Sequence, residues 1–408
     1  MPVLRYGADL SVCLEFANGA QPQQCGMPRG EPLTDMAGAV STALESPLGY
    51  PPLRQTATPG DRVVLSVGRG VPQVAQVTAA VVDSLMAAGV EPDGISVLRT
   101  EADLDAGGEN PCRLLQGVAG QRIRLLTHDP LNRGNLAYLA ATDQGEPILL
   151  NRLLTDADLV LPIDCLQAER TPGYFGIHSS IFPDLSDQRT QVRFRQLAES
   201  AYRGPRRREL AREVDQVAWL LGINFTIQLV PAAGDGVLGV VAGESTAVRR
   251  RGRELYRAAW ASGVARRTSL VVATIEGGAR QQTWENLGRA LARATRLAED
   301  GGAVAVCCEL AAQPGPALQR LVGARSRQSV LRQIRRECPA DALPATQLAR
   351  ALDHGRVYLL SRLDPALVED LEMVPVGGPE ELARLARRNH SCTLLANAAQ
   401  AIVTVEND

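Results

Sequence analysis

Lysine is missing from this chain of 408 residues: Lys and Arg together number 43, and every one of them is arginine. A Schiff-base enzyme needs a lysine amine, and so does a Walker-type phosphate loop, so both classes are excluded. Net charge is close to zero, at -2, which gives no electrostatic reason to expect a nucleic-acid or membrane partner. Aromatic residues are scarce, so the arginine clusters Arg206–Arg208 and Arg249–Arg251 lack the stacking partners of a nucleic-acid surface and read as solvated helix faces. No apolar run approaches bilayer-spanning length. The start, Met1-Pro2-Val3-Leu4-Arg5, lacks the charged-then-apolar build of a secretion signal, and the expectation is a cytoplasmic protein. The eight cysteines contain no Cys-x-x-Cys pair. Free thiols in a reducing compartment are expected, and a zinc site is not.

What is present is a strand–helix alternation. A short strand is expected over Ser11–Phe16 and a short helix over Ala43–Leu53, stopped by proline. The β-branched runs Arg62–Val67, Ile95–Leu98, Ile123–Leu126 and Asp156–Ile163 read as strands, with a long helix between Pro72 and Ala88. Further on, strands are expected at Ile223–Val230, Gly236–Ala242, Ser269–Ile275, Ala303–Cys308, Arg356–Leu360 and Ala401–Val405. Helices fall at Arg207–Leu221, Thr246–Ser262 and Trp284–Ala298. This order predicts an α/β fold of two domains with mainly parallel sheets, divided near residue 265 into 1–265 and 266–408, with a site in the cleft between them.

Candidate chemistry is confined to a few places. Gly234-Asp235-Gly236-Val237-Leu238-Gly239 has the letters of a dinucleotide fingerprint, but strands flank it on both sides, so a hairpin turn is the reading. Gly68-Arg69-Gly70 lies after a strand and before a helix, where an arginine can clasp a carboxylate or phosphate in two-point fashion; the alternative is an arginine in a surface loop. The stretch Glu169–Asp184 follows a buried strand and carries Gly173 and Gly176, His178, Ser179 and Ser180. A histidine beside two hydroxyls could poise a proton transfer, although no neighbouring carboxylate in the sequence is placed to orient it. His128, in Thr127-His128-Asp129-Pro130, reads as a hydrogen-bonded turn residue.

In sequence order, several segments resemble the nickel-pincer lactate racemase family. They are Tyr6-Gly7, Leu44-Glu45-Ser46-Pro47-Leu48-Gly49, Pro52-Leu53-Arg54, Pro59-Gly60-Asp61-Arg62, Thr127-His128-Asp129-Pro130, Asn135-Leu136, Thr142, Asn151-Arg152, the Glu169–Asp184 loop, and Gly277-Gly278 with Asn286 and Arg289. The resemblance implies two α/β domains and a chemistry in which the α-hydrogen of a 2-hydroxy acid leaves as hydride to a nickel–pyridinium cofactor. Carried across residue by residue, it places the two proton-carrying histidines at Glu101 and Glu169, the cofactor-tethering lysine at Ser179 and the nickel histidine near Arg195. It leaves an anion-gripping frame of Arg69, Asn286 and Arg289, with the aspartate companion of Arg69 at Ser66, and a cofactor loop of Gly173, Gly176 and Ser179. A covalent lysyl tether is impossible here, and the identity of cofactor and metal stays open. The readings are a non-catalytic relative that binds a 2-hydroxy acid or related anion, an active 2-hydroxy-acid racemase or epimerase with a noncovalent nickel pincer, and a carboxylate-pair metal-dependent enzyme of changed chemistry. Glu101 and Glu169 are expected to act as a facing acid–base pair, to hold a divalent ion, or to be solvated loop residues; with His178 they are the catalytic candidates. The implied partner is a small anionic molecule.

Overall fold

A computed structural model describes residues 2–14, 16, 21–105, 107–142, 145–169, 171–200 and 205–406. Two six-stranded sheets organise the chain. The first runs, edge to edge, Val237–Glu244, Phe225–Pro231, Leu159–Cys165, Val63–Val67, Ile95–Thr100 and Arg124–His128. All pairings in it are parallel except the hairpin joining Phe225–Pro231 to Val237–Glu244. That hairpin turns through Gly234-Asp235, as its strand-like flanks require.

The central strands are buried on both faces, which is why they read as continuous apolar runs. Alternate residues then serve opposite layers. Leu65, Val97, Leu161 and Ile163 pack against the helices Met36–Glu45 and Val74–Ala87. Val64, Leu98 and Val160 pack against Leu210, Val214 and Val217 of the helix Pro205–Leu220, and against Ile181, Phe182 and Leu185 of the loop that follows Leu159–Cys165.

The second sheet runs Val374–Pro375, Val357–Leu360, Ala298–Cys307, Thr268–Thr274, Cys392–Leu395 and Gln23–Cys25, and every pairing is parallel. The helices Trp284–Leu297 and Ala342–His354 cover one face; Leu4, Tyr6, Val12 and Leu382 cover the other. Among the described residues no helix is long and apolar enough to cross a membrane.

Three details depart from the sequence reading. The helix expected over Ala43–Leu53 is displaced to Met36–Glu45, where Asp35 caps it by accepting from the Gly38 N–H, and a separate turn of helix begins at Leu53. The strand expected over Ser11–Phe16 is Leu10–Cys13, which pairs antiparallel with a preceding strand, Val3–Tyr6, and Glu15 lies outside the described residues. The antiparallel pair Leu136–Ala141 and Pro147–Asn151 carries no clear alternation and was not foreseen. In addition, residues 3–14 and 23–25, which precede the first sheet in sequence, pack on the second one.

Gln23 ties that segment down. Its Oε1 accepts from the Ala265 and Arg266 N–H groups, at 2.7 and 3.2 Å. Its Nε2 donates to the Arg266 carbonyl and to Thr393 Oγ1, at 2.8 and 3.1 Å. Gln23→Ala removes partners from three exposed backbone groups and from the buried Thr393 hydroxyl and should cost about 0.5–1.5 kcal/mol. The expected result is a lower urea midpoint at unchanged slope; an unaltered midpoint would mean that solvent satisfies these groups equally well.

Candidate functional site

Segments leaving the C-terminal ends of strands in the two sheets meet at one place. This is where α/β sheets collect ligand-binding residues, because the strand ends present loops and helix starts rather than packed side chains. From the first sheet come Gly68-Arg69-Gly70 after Val63–Val67, Asp164 at the end of Leu159–Cys165, and Asp184 on the following loop. From the second come Gly277-Gly278 after Thr268–Thr274 and the first turns of Trp284–Leu297.

The glycines allow the approach. Gly277 has φ +109°, and a Cβ there would lie 3.0 Å from the Gly234 Cα of the hairpin turn in the other half. The Gly278 N–H donates to Asp235 Oδ2 at 2.7 Å across the same contact. Gly68 is required for a different reason. A Cβ there would stand 2.3 Å from Asp164 Oδ1, so the missing side chain is what leaves room for the Asp164 carboxyl group.

Arg69 is held from both halves. Its Nη1 donates to Glu285 Oε1 at 3.0 Å, and its Nε lies 3.5 Å from Asp184 Oδ2. The turn that carries it is pinned by the Gly70 N–H, which donates to Asp103 Oδ1 at 3.1 Å. On the helix Trp284–Leu297, Glu285 and Arg289 are one turn apart, with Arg289 Nη2 3.9 Å from Glu285 Oε2. Arg289 Nη1 donates to Asn286 Oδ1 at 3.1 Å, and Asn286 in turn donates to the Gln281 carbonyl at 2.9 Å. The three arginine-frame residues expected from the sequence are therefore brought together, with Glu285 between the two guanidinium groups.

The surroundings set the charge states. The Glu285 and Asp184 carboxylates hold Arg69 firmly protonated, and Arg69 in turn keeps the Glu285 carboxyl below its ordinary range. Burial pulls Arg289 down and pushes Asp184 up. Asp164 is the most displaced carboxyl of the group. Only 7% of it is exposed, and burial raises it to about 7, against the opposing influence of the Cys165 N–H and the Ser180 hydroxyl. A carboxyl that titrates near neutrality can give or take a proton at working pH. Neither Asp164 nor Asp184 was singled out from the sequence, and neither was Asp103; aspartates after strands are too common for type alone to mark them.

His178 lies elsewhere. It is buried, with Nε2 3.2 Å from Ser245 Oγ and Nδ1 3.5 Å from Asp215 Oδ1, while Asp215 is clasped by Arg249. Serine, histidine and aspartate stand in the order of nucleophile, base and orienting acid. The N–H groups that could receive an oxyanion, those of Thr246 and Ala247, already donate to the Glu244 carboxylate at 2.8 and 2.7 Å. A negative charge developing at Ser245 would face another, so His178 is a structural tie between the loop and two helices. His128 is structural as well: Asn151 Nδ2 donates to its Nδ1 at 3.1 Å, its Nε2 donates to the Ser186 carbonyl at 2.8 Å, and burial keeps it neutral. A surface recess of about 420 Å³ beside Ser269, Arg356 and His390 opens toward the starts of the second sheet's strands, away from this chemistry.

Residues 14–197 match the family model described as the lactate racemase N-terminal domain. The similarity to that family's sequence model is confined to this segment. Its whole length follows the fold of the lactate racemase apoprotein from Thermoanaerobacterium thermosaccharolyticum, with a TM-score of 0.76, 18% identity, and 98% of this chain and 99% of that one covered. A protein from Thermotoga maritima is similar in fold at a TM-score of 0.65 and 12% identity, covering 92% of this chain and 99% of that one. No curated protein sequence matches.

The remaining expected residues are placed as follows. Glu101 is exposed at the start of the helix Glu101–Asp105, and it is Asp103 that turns inward. Glu169 gives its carboxylate to Arg253 and to Arg257, the latter at 3.1 Å, so it shares no partner with Glu101. Ser179 closes its own loop: its Oγ donates to the Gly176 carbonyl at 2.7 Å and accepts from the Phe175 N–H at 3.0 Å. Gly173 and Gly176, at φ +80° and +132°, supply the backbone that this loop needs. Arg170 lies outside the described residues. Among the described residues no group of three or more His, Cys, Asp or Glu side chains is placed to hold a metal ion.

The pH dependence of stability tests the environment of Asp164. A carboxyl that binds its proton more tightly in the folded than in the unfolded chain costs stability as pH rises from 3.8 to about 7. Asp164→Asn removes that loss, so its urea midpoint should gain on wild type steadily across this window. A constant difference would show a well-solvated Asp164.

Proposed function

We propose that this chain binds a small carboxylate of the 2-hydroxy-acid class, gripped by Arg69 and Arg289 with Asn286 beside them. The observation that carries the reading is the pair of guanidinium groups converging on one carboxylate at the junction of the halves. The family offers racemase or epimerase chemistry, but the residues that would run it differ here. The covalent nickel-pincer cofactor does not fit this site: Ser179 is no tether and spends its hydroxyl within the loop, and Arg195 puts a cation where a nickel ligand is expected. Binding without the family's hydride chemistry is therefore the conclusion.

A second reading, an acid–base enzyme acting on a bound hydroxy acid, is favoured by Asp164, a buried carboxyl poised near neutrality beside Asp184. Turnover abolished in Asp164→Asn with binding retained would select it.

Titration calorimetry with D- and L-lactate tests the first reading. Loss of a charge-assisted contact costs about 1.5–3 kcal/mol, so Arg69→Ala should weaken binding about 10- to 100-fold. Equal affinity in Arg69→Ala and wild type would remove the anion site from this part of the molecule.

A further inference from the structure

Glu285 occupies the place that the reading above gives to the ligand. One of its oxygens accepts from Arg69 at 3.0 Å and the other faces Arg289 at 3.9 Å, so a single carboxylate spans both guanidinium groups. That is the geometry a bound carboxylate would adopt. The other contacts of Arg69 and Arg289 do not need Glu285: Asp184 stays beside Arg69 Nε, and Asn286 accepts from Arg289. The contact is also open to solvent, with 42% of the Glu285 side chain and 39% of that of Arg69 exposed, so an incoming ion can reach it. Glu285 sits in the first turn of its helix, where an acid is favoured on its own account, yet the side chain leans out to the other half of the molecule.

We propose that Glu285 is an internal competitor for the carboxylate site and sets its specificity. This rests on the anion-site reading. A ligand must bring a carboxylate able to displace Glu285 from Arg69 and Arg289, and it must tolerate the negative charge of Asp184 nearby. Small monocarboxylates meet this requirement better than dicarboxylates, whose second charge would meet Asp184 and the displaced Glu285.

The experiment compares lactate and malate binding to wild type, Glu285→Gln, Glu285→Asp and Arg69→Ala, each first checked by thermal melting. Glu285→Gln should bind lactate about tenfold more tightly, the worth of removing one competing charge-assisted contact, and should narrow the preference over malate. Glu285→Asp, whose shorter arm reaches the arginines poorly, should fall between, and it carries the test if Glu285→Gln does not fold. Unchanged or weaker binding in the Glu285 variants, with Arg69→Ala still impaired, overturns the competitor role and leaves the anion site standing as an ion pair between halves. No binding by any of the four proteins overturns both.

Discussion

A guanidinium group at the junction of two domains-worth of chain needs counter-charge, and Arg69 draws it from both sides. Asp184 reaches it from the loop of the first sheet and Glu285 from a helix of the second. Surface ion pairs of this kind contribute little to stability, typically well under 1 kcal/mol. Their value here is positional. Each half presents a charge that is complete only when the other half is in place, so the geometry of the site and the docking of the halves are the same fact.

The rest of the junction follows from that constraint. Two backbones approach closely at Gly234 and Gly277, where a Cβ on Gly277 would stand 3.0 Å from the Gly234 Cα. Gly68 gives up its side chain so that the Asp164 carboxyl can fold under the loop. The loop itself is closed from within by Ser179 and anchored below by His128 and Ser186. The Ser179 hydroxyl is spent within its own loop, and the most displaced carboxyl, Asp164, stands at the end of Leu159–Cys165.

Much of the fold was legible in the residues. Both sheets could be read from β-branched runs such as Val63–Val67 and Thr268–Thr274, because strands buried on both faces must be continuously apolar. The hairpin at Gly234-Asp235 could be read from its turn chemistry. The pair Leu136–Ala141 and Pro147–Asn151 could not, because its burial follows no strict alternation. Nor could the pairing of Gln23–Cys25 with Cys392–Leu395, which joins residues nearly the whole chain apart through backbone hydrogen bonds that carry no side-chain signature.

Sequence alone determined the alternating α/β order and the arginine-only basicity, which depend on residue type and near-neighbour spacing; Arg69, Asn286 and Arg289 were grouped by the resemblance to a known family. Tertiary structure decided which acids belong to the site. Asp103 turns in while Glu101, two positions away on the same short helix, stays out. Glu169 is drawn off by arginines of a distant helix, and Asp164 becomes a near-neutral titrating group only because a loop and a neighbouring strand exclude water from it. A carboxylate's role is set by its desolvation and by the charges that face it, and both are properties of the packed chain.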